Sequence, residues 1–320
     1  MPVPPTVLPP SRQHRPPFQV LRFARAPLVQ PALERLLSSA DRRAHVAHDP
    51  VELVHRQRDP LDQEIVGLVA SAVAYGRVDL FKPRLARLVD ALGPEPARFA
   101  RSATPAELLE RTAGFAYRMT GPAEVSALLY CAASIQQRFG SLGALAQTCL
   151  TASSAGWREA LDRFVATLWK HDLRPFVGQI RPTRRLLHLV ASPGGQSACK
   201  RLNLFARWMV RPADGVDLGL WPVAPSLLVI PLDTHVHRIA RFLGLTRRTD
   251  LSWKTAEEIT ARLRHLDPDD PVKFDFALSH LGISGDCPAH RDAEKCARCP
   301  LRPICRMWDR PANSARRSGV

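Results

Sequence analysis

The chain has 320 residues, enough for two domains or one large one, and its 45% hydrophobic residues are normal for a globular core. No apolar run reaches the roughly 18 residues of a membrane-spanning helix, and no apolar region precedes a cleavage site near the N-terminus. These features exclude a membrane protein and a secreted one, so we expect a cytoplasmic protein. The formal net charge of +15 predicts a polyanionic partner, with nucleic acid first.

The N-terminal stretch differs from the rest of the chain. Residues 1–17 hold seven prolines, which predicts a flexible tail over residues 1–27, with an organelle transit peptide as the alternative. Apolar residues then recur at helical spacing, and runs of alternating β-branched residues are missing, so we predict an all-α protein. The predicted helices lie at about 31–44, 59–77, 79–92, 105–112, 122–139, 142–150, 156–169, 180–190, 234–244, 252–265 and 271–282, and a glycine-containing turn from residue 192 leads into one more helix that must end by Pro212.

One segment is strongly basic. Residues 173–213 contain eight lysines or arginines and no acidic residue. On the helix that ends by Pro212, the apolar side chains form one stripe, and the spacing places Lys200, Asn203, Arg207 and Arg211 on another face. We therefore expect this segment to form a cationic surface, with the polar face of this helix as part of it. A general use of arginine, as in a GC-rich genome, is the alternative.

Four of the seven cysteines lie within 19 residues near the C-terminus, in the pattern C-x8-C-x2-C-x5-C: Cys287, Cys296, Cys299 and Cys305. Thiolates this close in sequence can converge on one metal centre because the intervening loops are short. An intracellular location argues against disulfides. The spacing alone leaves a [4Fe–4S] cluster and a zinc ion open.

Two motifs in this order resemble those of one enzyme superfamily. The stretch PLDTHVHRIARFLGL, residues 231–245, resembles a segment of the helix-hairpin-helix (HhH-GPD) DNA glycosylases, and the cysteine spacing differs from the endonuclease III loop by two extra residues in the first gap. The resemblance implies a two-lobed helical fold, a [4Fe–4S] cluster on the four cysteines and a catalytic role for Asp233. Residues 45–305 are also similar to a bacterial family of unknown function, through AYGR, SACKRLNLFARWMVR and PLDTHVHR.

The resemblance also suggests a nucleophile. The L-P-G-V-G hairpin of the classical enzymes is missing here, and Lys200 precedes Asp233 by 33 positions, an interval similar to that of the archaeal 8-oxoguanine glycosylases. Carried over through that branch, Lys200 is the amine that forms a Schiff base in a glycosylase with AP-lyase activity, and Asp233 assists it. The resemblance implies duplex DNA with a flipped base as the partner, and we expect a monomer that acts in base-excision repair at the nucleoid. The predicted DNA contacts are Arg77, Arg201, Arg207, His235 and Arg238.

This hypothesis divides the chain into a glycosylase-like core at residues 28–285, a cluster loop at 286–306 and a basic tail at 307–320. Three alternatives remain open. In the first, Asp233 is only an ordinary helix N-cap, and Lys200 is a solvated or phosphate-binding side chain. A noncatalytic nucleic-acid-binding iron–sulfur protein of the same fold would suit the missing hairpin. A zinc-stabilised RNA-binding protein is the third.

Overall fold

The computed structural model describes residues 23–309, and within this range the regular secondary structure is helical, with two isolated β-bridges and no strand. The all-α class predicted from the sequence is confirmed. The predicted tail at residues 1–27 and the basic tail at 307–320 lie mostly outside the described residues. The first helix already begins at Ala26, before the predicted end of the tail.

The first two-thirds of the chain form twelve helices: α1 Ala26–Ser39, α2 Arg42–His48, α3 Val51–His55, α4 Pro60–Val73, α5 Val78–Leu92, α6 Pro96–Ser102, α7 Pro105–Thr112, α8 Pro122–Phe139, α9 Leu142–Thr151, α10 Trp157–Leu168, α11 Arg174–Val177 and α12 Arg184–Leu189. Six more follow: α13 Lys200–Val210, α14 Thr234–Leu243, α15 Trp253–Leu266, α16 Asp275–Ile283, α17 Ala293–Arg298 and α18 Arg306–Asp309. Each predicted helix has a counterpart, but the one predicted at 31–44 is divided between α1 and α2, and Pro31 lies inside α1. Short helices such as α3 and α6 were not predicted.

Capping residues explain where several helices begin. The Asp59 carboxylate accepts the Leu61 amide at the start of α4. Thr104 and Glu107 form a reciprocal capping box at α7, with the Thr104 amide donating to the Glu107 carboxylate over 2.7 Å. These side chains replace the hydrogen bonds that the first turn of a helix lacks, so the local sequence sets the boundary.

Helix α4 lies at the centre of the fold. It is buried along most of its length and packs against α3, α6 and α8 on one side and α13 on the other. Its buried Glu64 accepts hydrogen bonds of 2.8 Å from the Leu142 and Gly143 amides and from Trp221 Nε1, and one of 3.1 Å from Gln136. A buried carboxylate needs such partners, and these four tie α4 to the start of α9 and to the loop after α13. Burial still raises the pKa of Glu64.

The C-terminal helices surround α13 and α14. Helix α14 packs against α16 and α18, and α1 contacts α15 and α16. Trp208 on α13 and Trp221 after it are both buried, so they belong to the core. Between residues 23 and 309 there is no helix long and apolar enough to cross a membrane. The division of the core into two lobes stays a prediction.

Candidate functional site

Asp233 is the N-cap of α14. Its Oδ1 accepts the backbone amides of His235 and Val236, both over 2.9 Å, and its own backbone is extended. The capping role expected from the sequence is therefore confirmed. Both hydrogen bonds fall on one oxygen, and the side chain is half-buried, so the second oxygen stays available for a substrate or a cation. Capping and a chemical role are compatible in this geometry.

Lys200 is the first residue of α13. Its Nζ donates a hydrogen bond of 3.2 Å to the carbonyl oxygen of Ala74, in the loop that follows α4, and the side chain is half-buried. The preceding residue, Cys199, adopts a left-handed conformation with φ of 49°, which turns the chain sharply into the helix. The amine is thus held at the edge of the core by a single backbone carbonyl, which a competing ligand can replace.

A third charged residue, Asp275, was not singled out by the sequence. Asp275, at the start of α16, is 2% exposed, and the charges of both Lys200 and Asp233 act on its carboxylate. Its Oδ2 accepts a 2.5 Å hydrogen bond from Arg207, whereas its Oδ1 is buried without a hydrogen-bond partner. Burial raises the pKa of Asp275 to about 6, against the attraction of Arg207. Among the described residues, Asp275 is therefore a buried and incompletely paired carboxylate.

The prediction that Arg207 contacts DNA is wrong. Its side chain is 2% exposed and lies between Asp217, at 3.0 Å, and Asp275. Burial disfavours the charged guanidinium, but these carboxylates outweigh that effect and raise the pKa of Arg207. Arg211, one turn later, is likewise buried and pairs with Asp217 and Asp270.

The cationic face expected on α13 is thus mostly internal. Helical spacing correctly separated the polar residues from the apolar stripe. It could not show that acidic side chains from the following loop and from α16 cover them. Asn203 is buried as well, while Lys200 remains accessible at the N-terminal end.

Arg201, another predicted DNA contact, is engaged inside the protein. Its guanidinium donates to the backbone oxygen of Ala72 over 2.9 Å and to that of His188, and it lies 5.1 Å from the ring centre of Tyr75. Burial lowers the pKa of Arg201 to about 10, which leaves it charged at neutral pH. Its contacts join α12, α13 and the end of α4 beside Lys200.

The loop after α4 forms the rim of the site. Arg77 is exposed, with 74% of its side chain accessible, and pairs with Asp79 over 2.5 Å. Tyr75 is half-buried, and its hydroxyl hydrogen-bonds to the Tyr117 carbonyl and the Thr120 hydroxyl, as expected for a packing role. Arg77 is therefore free to contact a ligand, whereas Tyr75 supports a neighbouring turn.

That neighbouring turn, residues 117–120, was not predicted. Tyr117 and Thr120 exchange two backbone hydrogen bonds of 2.9 Å, and Tyr117 donates its hydroxyl to the Tyr75 carbonyl. At the tip, Arg118 has a φ of 51°, and the Met119 side chain is 51% exposed. This turn thus presents an apolar tip and a cation next to the loop whose Ala74 carbonyl binds Lys200. The sequence signal was weak, because RMTG contains only one common turn former.

The remaining predicted DNA contacts connect α14 to the cysteine loop. Arg238 donates to the carbonyl oxygen of Cys287 over 2.7 Å and lies 3.4 Å from Nδ1 of His235. The Cβ atom of His235 packs so closely on Gly282 of α16 that a side chain there would collide with it. The side chains of His235 and Arg238 are both half-buried. Each therefore makes contacts inside the protein and keeps part of its surface accessible.

The four clustered cysteines line one small cavity, together with Phe242, Arg302 and Trp308. Burial raises the pKa of Cys287 to about 11 and also raises that of Cys299. Arg238 acts in the opposite direction on Cys287, since a cation favours the thiolate. All seven cysteines are free thiols. Among residues 23–309, no group of three or more histidine, cysteine or acidic side chains lies at metal-binding distances.

Four cysteine residues that line one small cavity beside Arg302 are a donor set that fits a metal centre in its chemistry. Cys131, Cys149 and Cys199 are buried elsewhere, in agreement with the prediction that they are packed thiols.

Comparison with known proteins gives one family. No curated protein matches the chain. The model of a domain described as a protein of unknown function, DUF2400, matches residues 49–284, which is most of the chain. The matched region includes Lys200, Asp233 and Asp275 and ends before Cys287, the first residue of the cysteine pattern. The chain therefore belongs to the DUF2400 family.

Proposed function

We propose that this protein is a DNA glycosylase of the helix-hairpin-helix type with AP-lyase activity, in which Lys200 is the nucleophile and Asp233 the assisting carboxylate. The observation that carries the proposal is the position of the two residues. Each begins a helix at the edge of the core: Lys200 is the half-buried first residue of α13, and Asp233 is the half-buried N-cap of α14. An accessible amine and an accessible carboxylate are the two groups that this chemistry needs.

The reaction follows from these groups. The neutral Lys200 amine attacks the anomeric carbon of the sugar, a C–N bond to lysine forms, and the glycosidic bond breaks so that its electrons leave with the base. The half-buried Asp233 carboxylate stabilises the positive charge that develops on the sugar during this step. The sugar ring then opens to a Schiff base, and β-elimination cuts the strand on the 3′ side. Lys200 is released when water hydrolyses the Schiff base.

The DNA surface lies around the same loop. A base must leave the stack before its glycosidic bond can be reached, so the enzyme needs a wedge and a cationic grip on the backbone. The apolar tip at Met119 suits the wedge, and Arg77 and Arg118 beside it suit the phosphates. In this proposal Arg201 and Arg207 act inside the protein rather than on DNA.

We further propose that Cys287, Cys296, Cys299 and Cys305 hold a [4Fe–4S] cluster. The support is their shared cavity and their spacing, and the cluster would supply a rigid, charged support for the adjoining loop. Arg238 links Cys287 to α14, so the loop would also fix the helix that Asp233 caps. Iron, sulfide and zinc analysis of the purified protein, with Cys299→Ser as the variant, distinguishes a cluster from a zinc ion.

Borohydride trapping tests the activity. Purified, metal-loaded protein is incubated with duplex oligonucleotides that carry defined damaged bases or an abasic site, and borohydride reduces any Schiff base to a stable adduct. We expect an adduct with wild-type protein and with Lys254→Gln, which changes an exposed lysine, but none with Lys200→Gln. If Lys200→Gln traps as well as the wild type, the proposed nucleophile is wrong.

The Asp233→Asn variant separates two mechanisms. Loss of base release in Asp233→Asn with full activity in Lys200→Gln would indicate a monofunctional enzyme that activates water.

A noncatalytic nucleic-acid-binding protein is the second candidate, and the segment before α13 favours it. Ten residues separate α12 from α13, and Asp162 holds this loop by accepting from Ser192 and from the Gly194 amide at 2.5 Å. A tight hairpin of the classical type is not formed there. This candidate predicts salt-sensitive DNA binding without adduct or base release for every lesion tested.

A further inference from the structure

The end of α4 binds both cations at the start of α13. The carbonyl groups at the end of a helix lack partners within it, and the helix dipole favours a cation there. Arg201 donates to the Ala72 carbonyl over 2.9 Å, and Lys200 donates to the Ala74 carbonyl over 3.2 Å. The position of the Lys200 amine is therefore set by the backbone at the end of α4.

Two tyrosines fix that backbone. The Tyr75 hydroxyl donates to the Tyr117 carbonyl over 3.1 Å and hydrogen-bonds to the Thr120 hydroxyl at 2.8 Å. In return, the Tyr117 hydroxyl donates to the Tyr75 carbonyl over 2.6 Å, and the two ring centres lie 5.1 Å apart. Each hydroxyl thus binds the backbone of the other residue, and we call this pair the tyrosine clasp. It holds the chain one residue after Ala74, whose carbonyl binds Lys200.

Gly76 brings the loop after α4 into close contact with the turn at 117–120. Its φ is 79°, and a Cβ atom there would lie 2.5 Å from the Tyr117 hydroxyl and 2.7 Å from a guanidinium nitrogen of Arg118. Both the backbone conformation and the lack of space therefore require glycine at this position. The loop and the turn pack directly on each other, so a shift of one displaces the other.

We propose that Tyr75 and Tyr117 are positioning residues for Lys200: the tyrosine clasp fixes the Ala74 carbonyl from which the amine moves to the sugar, and it fixes the turn that carries Met119. This proposal rests on the function proposed above. A wedge that opens the duplex and a nucleophile that attacks the exposed sugar have to lie at a set distance from each other. A misplacement of about 1 Å can lower a rate about 100-fold.

The tyrosine clasp acts through the backbone alone. Neither hydroxyl takes part in a bond that forms or breaks in the proposed reaction. The clasp therefore affects the rate of attack by Lys200, and DNA affinity is a separate quantity that can be measured beside it.

The three tyrosines of the chain supply the test. Tyr75→Phe and Tyr117→Phe each remove one hydroxyl of the clasp and keep its ring, so the two variants open the clasp from opposite sides. Tyr130→Phe is the matched control, because Tyr130 lies on α8 and its ring packs on Phe176, with centres 5.4 Å apart.

Two measurements are made on each protein. The first is the rate at which an amine-reactive acylating reagent labels Lys200 in the free protein, read by mass spectrometry with the exposed Lys254 as the internal reference. The second is the single-turnover rate of borohydride trapping on abasic-site DNA, in single-stranded and in duplex form, with the Kd for each form measured by titration. Rates at saturating DNA separate the position of the amine from DNA affinity. Single-stranded DNA has no stack to open, so it needs no wedge.

Both clasp variants should label Lys200 several times faster than wild type, because the amine is no longer held on the Ala74 carbonyl. Their trapping rates at saturation should fall about 10- to 100-fold on both forms of DNA. Met119→Ala changes only the wedge, so it should slow trapping on the duplex and leave the single-stranded rate unchanged. Tyr130→Phe should match wild type in every measurement.

Either of two results overturns the role of the tyrosine clasp. One is labelling of Lys200 at the wild-type rate in both clasp variants. The other is trapping of single-stranded DNA at the wild-type rate, since the clasp would then serve the wedge alone. If wild-type protein forms no adduct, the lyase proposal fails, and the labelling rates by themselves decide whether the clasp holds Lys200.

Discussion

The buried carboxylate of Asp275 predicts a variant that is more stable than the wild type at neutral pH. Its pKa rises from 3.8 to about 6 in the folded protein, about two pH units. Each unit corresponds to about 1.4 kcal/mol, so keeping Asp275 ionised in the fold costs about 3 kcal/mol. Asparagine has the same shape and carries no charge, and Arg207 keeps its 3.0 Å pair with Asp217. We therefore expect Asp275→Asn to be more stable than the wild type at pH 7.5.

The sign of the pH dependence follows from the raised pKa. Below the unfolded value of 3.8, Asp275 is protonated in both states, and its full stabilising contribution is present. That contribution is lost as the pH rises through about 6, because the folded protein must then release the proton that it binds more tightly. Wild type and Asp275→Asn should thus be about equally stable near pH 4 and differ by up to about 3 kcal/mol at pH 7.5.

Urea denaturation followed by tryptophan fluorescence, at pH 4, 5, 6 and 7.5, measures this difference. Wild type and variant are compared at each pH, so that any shared contribution from a bound metal cancels. Asp269→Asn changes an exposed carboxylate and should differ from wild type by no more than a few tenths of a kcal/mol. If Asp275→Asn is less stable than wild type by over about 1 kcal/mol at pH 7.5, the ion pair with Arg207 outweighs burial, and the argument is wrong.

Three further variants test the core and the DNA surface. Trp221→Phe removes the 2.8 Å hydrogen bond to buried Glu64 and should lower the free energy of unfolding, measured in urea, by about 1.5–3 kcal/mol. A decrease below about 0.5 kcal/mol would show that water replaces the indole as the partner of Glu64. Arg77→Gln should weaken DNA binding and reduce the slope of log affinity against log salt by about 1, and an unchanged slope would remove Arg77 from the interface. Met119→Ala should slow base release on duplex DNA without changing that slope, and equal rates for both proteins would contradict the wedge.

Local signals in the sequence predicted much of the fold. Helical spacing and capping residues act within a few positions, so the bounds of α7 and α8 and the capping role of Asp233 could be read directly. The convergence of the four cysteines on one cavity also follows from short loops. Such features need no knowledge of distant parts of the chain.

Contacts between distant segments could not be predicted. Composition and helical spacing predicted that Arg207 is exposed. Its partner Asp275, which lies 68 positions away in sequence, instead covers it inside the protein. Asp275 lies within the helix predicted at 271–282 without any local signal that marks it, and only the fold buries it against Arg207. The position of Met119 likewise depends on distant contacts. The Tyr75 hydroxyl hydrogen-bonds to Tyr117 and Thr120, which lie 42 and 45 positions away in sequence, and these bonds fix the turn.

Mapping the trapped residue tests the central claim most directly. Wild-type protein is reduced with borohydride on abasic-site DNA, the complex is digested with nuclease and protease, and the modified peptide is sequenced by mass spectrometry. We predict that the sugar remnant is attached to Lys200, the first residue of α13. Attachment to another lysine or to the N-terminus, or the absence of any adduct across the lesion panel, would contradict it.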